Sequence, residues 1–121
     1  MKTLITWMAL TGFAFAEVSV VKVEEAEKFI EEKIQLLDVR TEEEWNEGHI
    51  EGAVRVDFLE KGFEEKVKKA VDLKKPVLVY CRSSGRSGRA SKVMDKLGFT
   101  VIKDLEGGII AWKKAGKKLV K

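Results

Sequence analysis

Two short apolar runs, Val77-Leu78-Val79-Tyr80 and Ile34 to Val39, restrict what this chain can fold into more than any other feature. The first is unbroken and opened by Pro76, the second nearly continuous, and both are short for a buried helix. Strands of this kind are buried on both faces, as in a parallel sheet covered on each side by helices. The covering helices are legible in the helical spacing of apolar residues. Glu24 to Lys33 presents Ala26, Phe29 and Ile30, and Leu59 to Leu73 presents Phe63, Val67, Ala70 and Val71. A third face runs through Ala90, Val93, Met94 and Leu97 to Gly98, a helix-ending glycine, and a last one holds Ile109, Ile110, Trp112 and Ala115 before Gly116. Further strands are expected in the Val18 to Val23 run, at Ala53 to Phe58 and at Phe99 to Ile102, with Leu105 to Gly108 as a loop. Thr41, followed by Glu42, Glu43 and Glu44, reads as the N-cap of a short helix through Trp45. Strand and helix alternate without repeat or linker. The pattern predicts one α/β domain of three layers, with a central, mainly parallel sheet flanked by helices.

The chain's 121 residues, 45% of them hydrophobic, suffice for one such domain with a real core. Its 23 basic and 20 acidic residues leave a formal charge of +3, without the one-sided excess of a nucleic-acid binder, so no nucleic-acid partner is expected. Lys113, Lys114, Lys117 and Lys118 read as a solvated helix face and tail. At the N-terminus, Lys2, the apolar run Leu4 to Phe15 and the triplet Ala14-Phe15-Ala16 form a signal-peptide pattern. The expectation is a signal peptide over residues 1–16, a domain over residues 17–121 and an exported protein, in the periplasm of a bacterium. The apolar stretch is shorter than the roughly 20 residues that span a bilayer, so no stable membrane span is expected after cleavage. An uncleaved anchor is the alternative.

Cys81 is the only cysteine, which excludes an internal disulfide, and with His49 as the only histidine the soft ligands are too few for a zinc centre. No metal and no cofactor are expected. A lone cysteine can be an inert core residue or a reactive thiol, and its neighbours decide. Here Cys81-Arg82-Ser83-Ser84-Gly85-Arg86-Ser87-Gly88-Arg89 stands between the best strand and a helix. Ligands of open α/β sheets bind beyond the strand C-termini, which is where Cys81 falls. A short loop ahead of a helix N-terminus turns backbone N–H groups and the positive end of the helix dipole toward an anion. Arg82, Arg86 and Arg89 add fixed positive charge, which favours the nucleophilic thiolate. His49, in Glu47-Gly48-His49-Ile50, reads as a structural hydrogen-bonding residue in a turn, so the chemistry is expected to need no Cys-His dyad.

Three segments in order resemble the rhodanese homology domain over nearly the whole chain beyond residue 16. Leu37-Asp38-Val39-Arg40 through Glu44-Trp45 to Gly48-His49-Ile50-Glu51-Gly52-Ala53 is similar to its N-terminal signature. Cys81 to Ser87 resembles its active-site loop, and Gly107-Gly108 with Ala111-Trp112 its C-terminal signature. The resemblance implies a sulfurtransferase in which Cys81 accepts sulfur as a persulfide and Arg86 binds the donor's oxyanion, with Arg82, Ser83, Ser84, Gly85 and Ser87 completing the substrate loop. It implies as partners a small sulfur-containing anion such as thiosulfate and a thiophilic acceptor. Asp38 and Arg40 would pair as structural support for the loop, and Trp45 and Trp112 would be core. A persulfide carrier serving a partner protein is the alternative within the same chemistry. A phosphatase or arsenate reductase is disfavoured, because related phosphatases carry arginine six positions after cysteine and Arg86 is five after. The usual loop has glycine three positions after cysteine, where this chain has Ser84. A left-handed backbone there would be strained.

Overall fold

In the computed structural model, which describes residues 16–121, the Val77–Tyr80 run is the middle strand of a five-stranded sheet and is buried throughout. The strands are β1 (Glu17–Val21), β2 (Gln35–Asp38), β3 (Val54–Arg55), β4 (Val77–Tyr80) and β5 (Val101–Leu105). They alternate with helices α1 (Val23–Glu31), α2 (Glu42–Glu47), α3 (Phe63–Ala70), α4 (Gly85–Leu97) and α5 (Gly108–Lys114). The spatial order is β1-β5-β4-β2-β3, and every strand pair is parallel. The expected signal segment lies outside the described residues, apart from Ala16. Among the described residues no helix is long and apolar enough to cross a membrane.

Alternation along each strand divides the core into two layers. Leu37, Val39, Val77, Val79 and Ile102 face Phe63 and Val67 of α3 and Ala90 and Met94 of α4. Leu36, Leu78, Tyr80 and Leu105 face Val23 and Ala26 of α1 and Ile109 and Trp112 of α5. The sheet is therefore covered on both sides, as the apolar character of β2 and β4 requires. Because β4 returns past β3 to pair with β2, the C-terminal ends of β2 and β4 lie side by side, Asp38 opposite Tyr80. That is a site of the kind where parallel sheets bind ligands.

Four expectations are corrected. The strand expected at Ala53 to Phe58 contracts to Val54–Arg55, because the Asp57 carboxylate accepts from the Leu59 N–H at 2.9 Å and turns the chain. The last strand is displaced from Phe99–Ile102 to Val101–Leu105. Gly98, at φ 102°, and Phe99 close α4, Phe99 donating to the Met94 carbonyl at 3.1 Å. Leu105, expected in a loop, pairs with Val21 of β1. Trp45 is half-buried rather than core, stacked on His49 with ring centroids 3.5 Å apart, whereas Trp112 is buried as expected.

Candidate active site

Beyond Tyr80 the chain leaves the sheet and enters α4 at Gly85, so Cys81 sits at the C-terminal edge of the central strand, 1% exposed. Residues 82–85 above it are exposed. Ser84 is the N-cap of α4, its carbonyl accepting from the Gly88 N–H at 2.9 Å. Among the described residues no acceptor takes the N–H groups of Arg82, Ser83 or Ser84, and those of Gly85, Arg86 and Ser87 belong to the first helical turn, which lacks intrahelical acceptors. This run of free N–H groups follows Cys81 directly, at the positive end of a helix.

The loop is clamped from the other side by α5. Ile109 N–H donates to the Cys81 carbonyl at 2.9 Å, and Ile110 N–H to the Arg82 carbonyl at 3.1 Å. Gly108 makes this approach possible: its φ is +58°, and a β-carbon there would lie 2.5 Å from the Cys81 carbonyl oxygen and 2.6 Å from that of Arg82. The expected strain at Ser84 does not arise, since its φ of 173° is extended backbone. Its hydroxyl instead accepts from the Gly107 N–H at 3.0 Å and donates to the Ser83 carbonyl, tying loop to clamp as a glycine could not.

Arg86 is engaged. Its guanidinium makes a bidentate pair with Glu44, Nη1 to Oε1 at 2.7 Å and Nη2 to Oε2 at 2.8 Å. Glu44 in turn completes the capping box at Thr41, accepting from the Thr41 N–H at 3.0 Å while its own N–H donates to Thr41 Oγ at 3.3 Å. The Arg86 hydrogen bonds, against the opposing effect of burial, hold the Glu44 carboxyl down to about 2, and Glu44 in turn raises Arg86. Because the folded value lies below the ordinary 4.5, the pair stabilises the fold fully above 4.5 and loses that contribution as pH falls toward about 2. Glu44→Gln is thus expected to cost about 1 kcal/mol at neutral pH, the upper end for a pair with a solvent edge. In thermal melts, the gap to wild type should close as pH falls from 4.5 toward about 2. A gap that does not depend on pH would contradict the assignment.

The remaining sequence-selected residues divide. Exposed Arg82 lines a cleft of about 220 Å³ beside the loop with Arg40, Glu44, Gly48, Ile109 and Lys113. Arg89 turns away, its guanidinium 5.9 Å from the Phe58 ring centroid. Asp38 and Arg40 pair in the interior at 0% and 4% exposure, Arg40 Nη2 reaching Asp38 Oδ2 at 2.7 Å and the Gly48 carbonyl at 2.8 Å. Burial opposes the Arg40 charge, but the Asp38 carboxylate outweighs it and raises the guanidinium pKa. The pair reaches the loop indirectly, through Tyr80, whose ring centroid lies 5.6 Å from the Arg40 guanidinium carbon. His49 holds the Trp45 carbonyl through Nδ1 at 3.1 Å, its ring stacks on Trp45 and its backbone bridges Val120, with no contact to the thiol among the hydrogen bonds of the described residues.

Beneath Cys81 lies a group of which the sequence names only Ser87, expected in the substrate loop but turned inward and buried, while Asp104 was missed. The Sγ is 3.4 Å from Ser87 Oγ, and Ser87 Oγ is 2.7 Å from Oδ1 of Asp104 on β5. Ser87 is wholly buried and Asp104 is 7% exposed. Burial raises the Asp104 carboxyl pKa, partly offset by the Ser87 hydrogen bond. A charged residue inside the Val101–Leu105 strand is the only sequence signal that could have found it.

The molecule is thus a parallel α/β domain with one thiol at the end of its central strand, followed by a loop of free N–H groups at a helix start. The chain belongs to the rhodanese-like domain family, whose sequence model matches residues 22–115. It is 38% identical over 89 residues to the chloroplastic thiosulfate sulfurtransferase 16 of Arabidopsis thaliana, covering 66% of this chain and 74% of that protein. With thiosulfate sulfurtransferase 18 of the same plant it shares 30% identity over 107 residues, 79% of each. Its fold is similar to the crystal structure of a rhodanese-related protein from Thermoplasma volcanium, with a TM-score of 0.75, 26% identity and coverage of 84% of this chain and 97% of that one.

Proposed function

We propose that this domain is a sulfurtransferase that carries sulfane sulfur as a persulfide on Cys81, loading from thiosulfate or a related anion and unloading to a thiophilic acceptor. The observation that carries this reading is Cys81 at the C-terminal edge of the central strand, directly followed by the free N–H groups of Arg82 to Ser87 at the start of α4. The Cys81 thiolate attacks the outer sulfur of thiosulfate, a new S–S bond forms, and the bond to the sulfonate breaks with its electron pair leaving on sulfite. The acceptor then attacks the terminal sulfur and Cys81 leaves as thiolate. Neither step needs a neighbouring base to take a proton or a neighbouring acid to give one, which agrees with His49 being engaged at Trp45. The N–H groups and α4 terminus favour both the incoming sulfonate and the persulfide anion, and Arg86 is a loop cation on which the Cys81 charge acts. Incubation of the wild-type protein with thiosulfate should add the mass of one sulfur atom, removed again by cyanide. No gain refutes the reading, and a gain that cyanide leaves in place marks a carrier for a partner protein instead.

Export is part of the same proposal and rests on the signal pattern of residues 1–16. Produced in a bacterium, the mature protein is expected to begin at Glu17. An intact mass that still includes Met1 would overturn this.

A further inference from the structure

The Ser87 hydroxyl has a single hydrogen and three neighbours: Asp104 Oδ1 at 2.7 Å, the Ser84 carbonyl at 3.2 Å and Cys81 Sγ at 3.4 Å. A carboxylate and a sulfur anion accept only, so both cannot take that hydrogen at once. All three side chains are buried, where an unmet hydrogen-bonding demand is costly. Among the described residues Asp104 hydrogen-bonds only Ser87, and no cation pairs with it. The carboxyl is thus coupled to the thiol through one hydroxyl.

We propose that Asp104 is a positioning residue for Cys81, acting through Ser87. As a carboxylate it draws the Ser87 hydrogen away and leaves Ser87 to accept from the thiol; as a carboxylic acid it donates to Ser87 and turns that hydrogen onto the sulfur anion. Passing between these states moves one proton from Cys81 to Ser87 and one from Ser87 to Asp104. Net charge is unchanged and no other reactant takes part. This rests on the reading of Cys81 as the reacting group. The surroundings leave the exchange to these three residues. On the adjoining strands Asp104 stands opposite Val20 and Val79, and on α4 its Oδ2 faces Gly88, none of which ionises. Lys103 turns to the other face of the sheet, its ammonium 5.4 Å from the Phe29 ring centroid. Arg86 is the charged group whose field reaches Cys81, with Glu44 and Asp57 facing Arg86 in turn.

The test follows Cys81, the only cysteine, by its rate of alkylation with iodoacetamide against pH and by ultraviolet thiolate absorbance, using Cys81→Ser as the blank. The absorbance titration does not depend on reagent access. In Asp104→Asn, which nearly preserves shape, the carboxylate charge is gone and the amide can donate to Ser87 through Nδ2. The midpoint should move to lower pH, with alkylation below it faster by roughly tenfold, equivalent to one pH unit. In a Ser87→Ala background the same Asp104→Asn change should shift the midpoint far less. An unmoved midpoint in Asp104→Asn, or an equal shift with and without Ser87, would overturn the proposal. These readouts are independent of sulfur transfer, whose own failure would show as no mass gain from thiosulfate.

Discussion

Cys81→Ser is expected to take up no sulfur from thiosulfate and to fall to the uncatalysed background in turnover, with only a small change in thermal stability. An alcohol is not ionised near neutral pH, so the nucleophile is lost outright rather than weakened. The fold should tolerate the change. Cys81 packs with Val39, Val79 and Ala90 in the layer under α4, and serine is slightly smaller and more polar. Its hydroxyl finds Ser87 Oγ where the thiol did, 3.4 Å from the former sulfur, so it is not left without a partner. A cost of about 1 kcal/mol, on the scale of one altered hydrogen bond, is expected. Mass spectra after thiosulfate treatment and a thermal melt of the same sample separate chemistry from folding. Sulfur uptake by the variant would place the sulfur elsewhere and refute the role of Cys81.

Asp38→Ala should produce the largest loss of stability, about 3–5 kcal/mol, because it leaves the Arg40 charge in the interior without its counterion. Arg40 is 4% exposed and spends Nε and Nη2 on Asp38, and among the described residues the Gly48 carbonyl remains as its only other acceptor. In a domain of this size each kcal/mol lowers the melting temperature by roughly 4–8 °C. The double variant Asp38→Ala/Arg40→Leu should recover part of the loss, since it removes the isolated charge as well as the pair. Chemical denaturation of wild type, single and double variants checks both expectations. A single variant within 1 kcal/mol of wild type would show that the pair contributes little. Because Arg40 packs against Tyr80, the residue before Cys81, the single variant should also load sulfur less completely at temperatures where it remains folded.

The engagement of Arg86 by Glu44 bears on how a donor would be received under the proposed function. One hydrogen-bonding edge of the arginine, Nη1 with Nη2, is committed to Glu44, so a donor anion would be met first by the free backbone N–H groups and the helix terminus, with Arg86 contributing charge. The bond between Ser84 and Gly107 and the two bonds from α5 to the Cys81 and Arg82 carbonyls then hold that backbone in shape. The Gly107-Gly108 pair belongs to the site for this reason, although neither residue has a side chain to offer.

Much of this was legible along the chain. The unbroken apolar runs of β2 and β4 specify a sheet buried on both sides, the helical faces of Ala26, Val67 and Met94 supply its cover, and Thr41 and Gly98 mark helix ends as placed. Cys81 at the end of the strongest strand follows from the same local signals, because burial and turn chemistry act over a few residues and leave a periodic trace. Two features could not be read that way. Glu44 meets Arg86 across 42 residues and Ser87 meets Asp104 across 17, distances set by the β1-β5-β4-β2-β3 order. Asp104 was hidden because a carboxyl within a strand breaks the apolar run that identifies the strand, and its partner is supplied by the next layer. Sequence alone determined that one thiol stands where a parallel sheet binds its ligands. The tertiary structure decided which charges and hydroxyls surround that thiol, since hydrogen bonds between layers depend on strand order and register, which leave no local pattern.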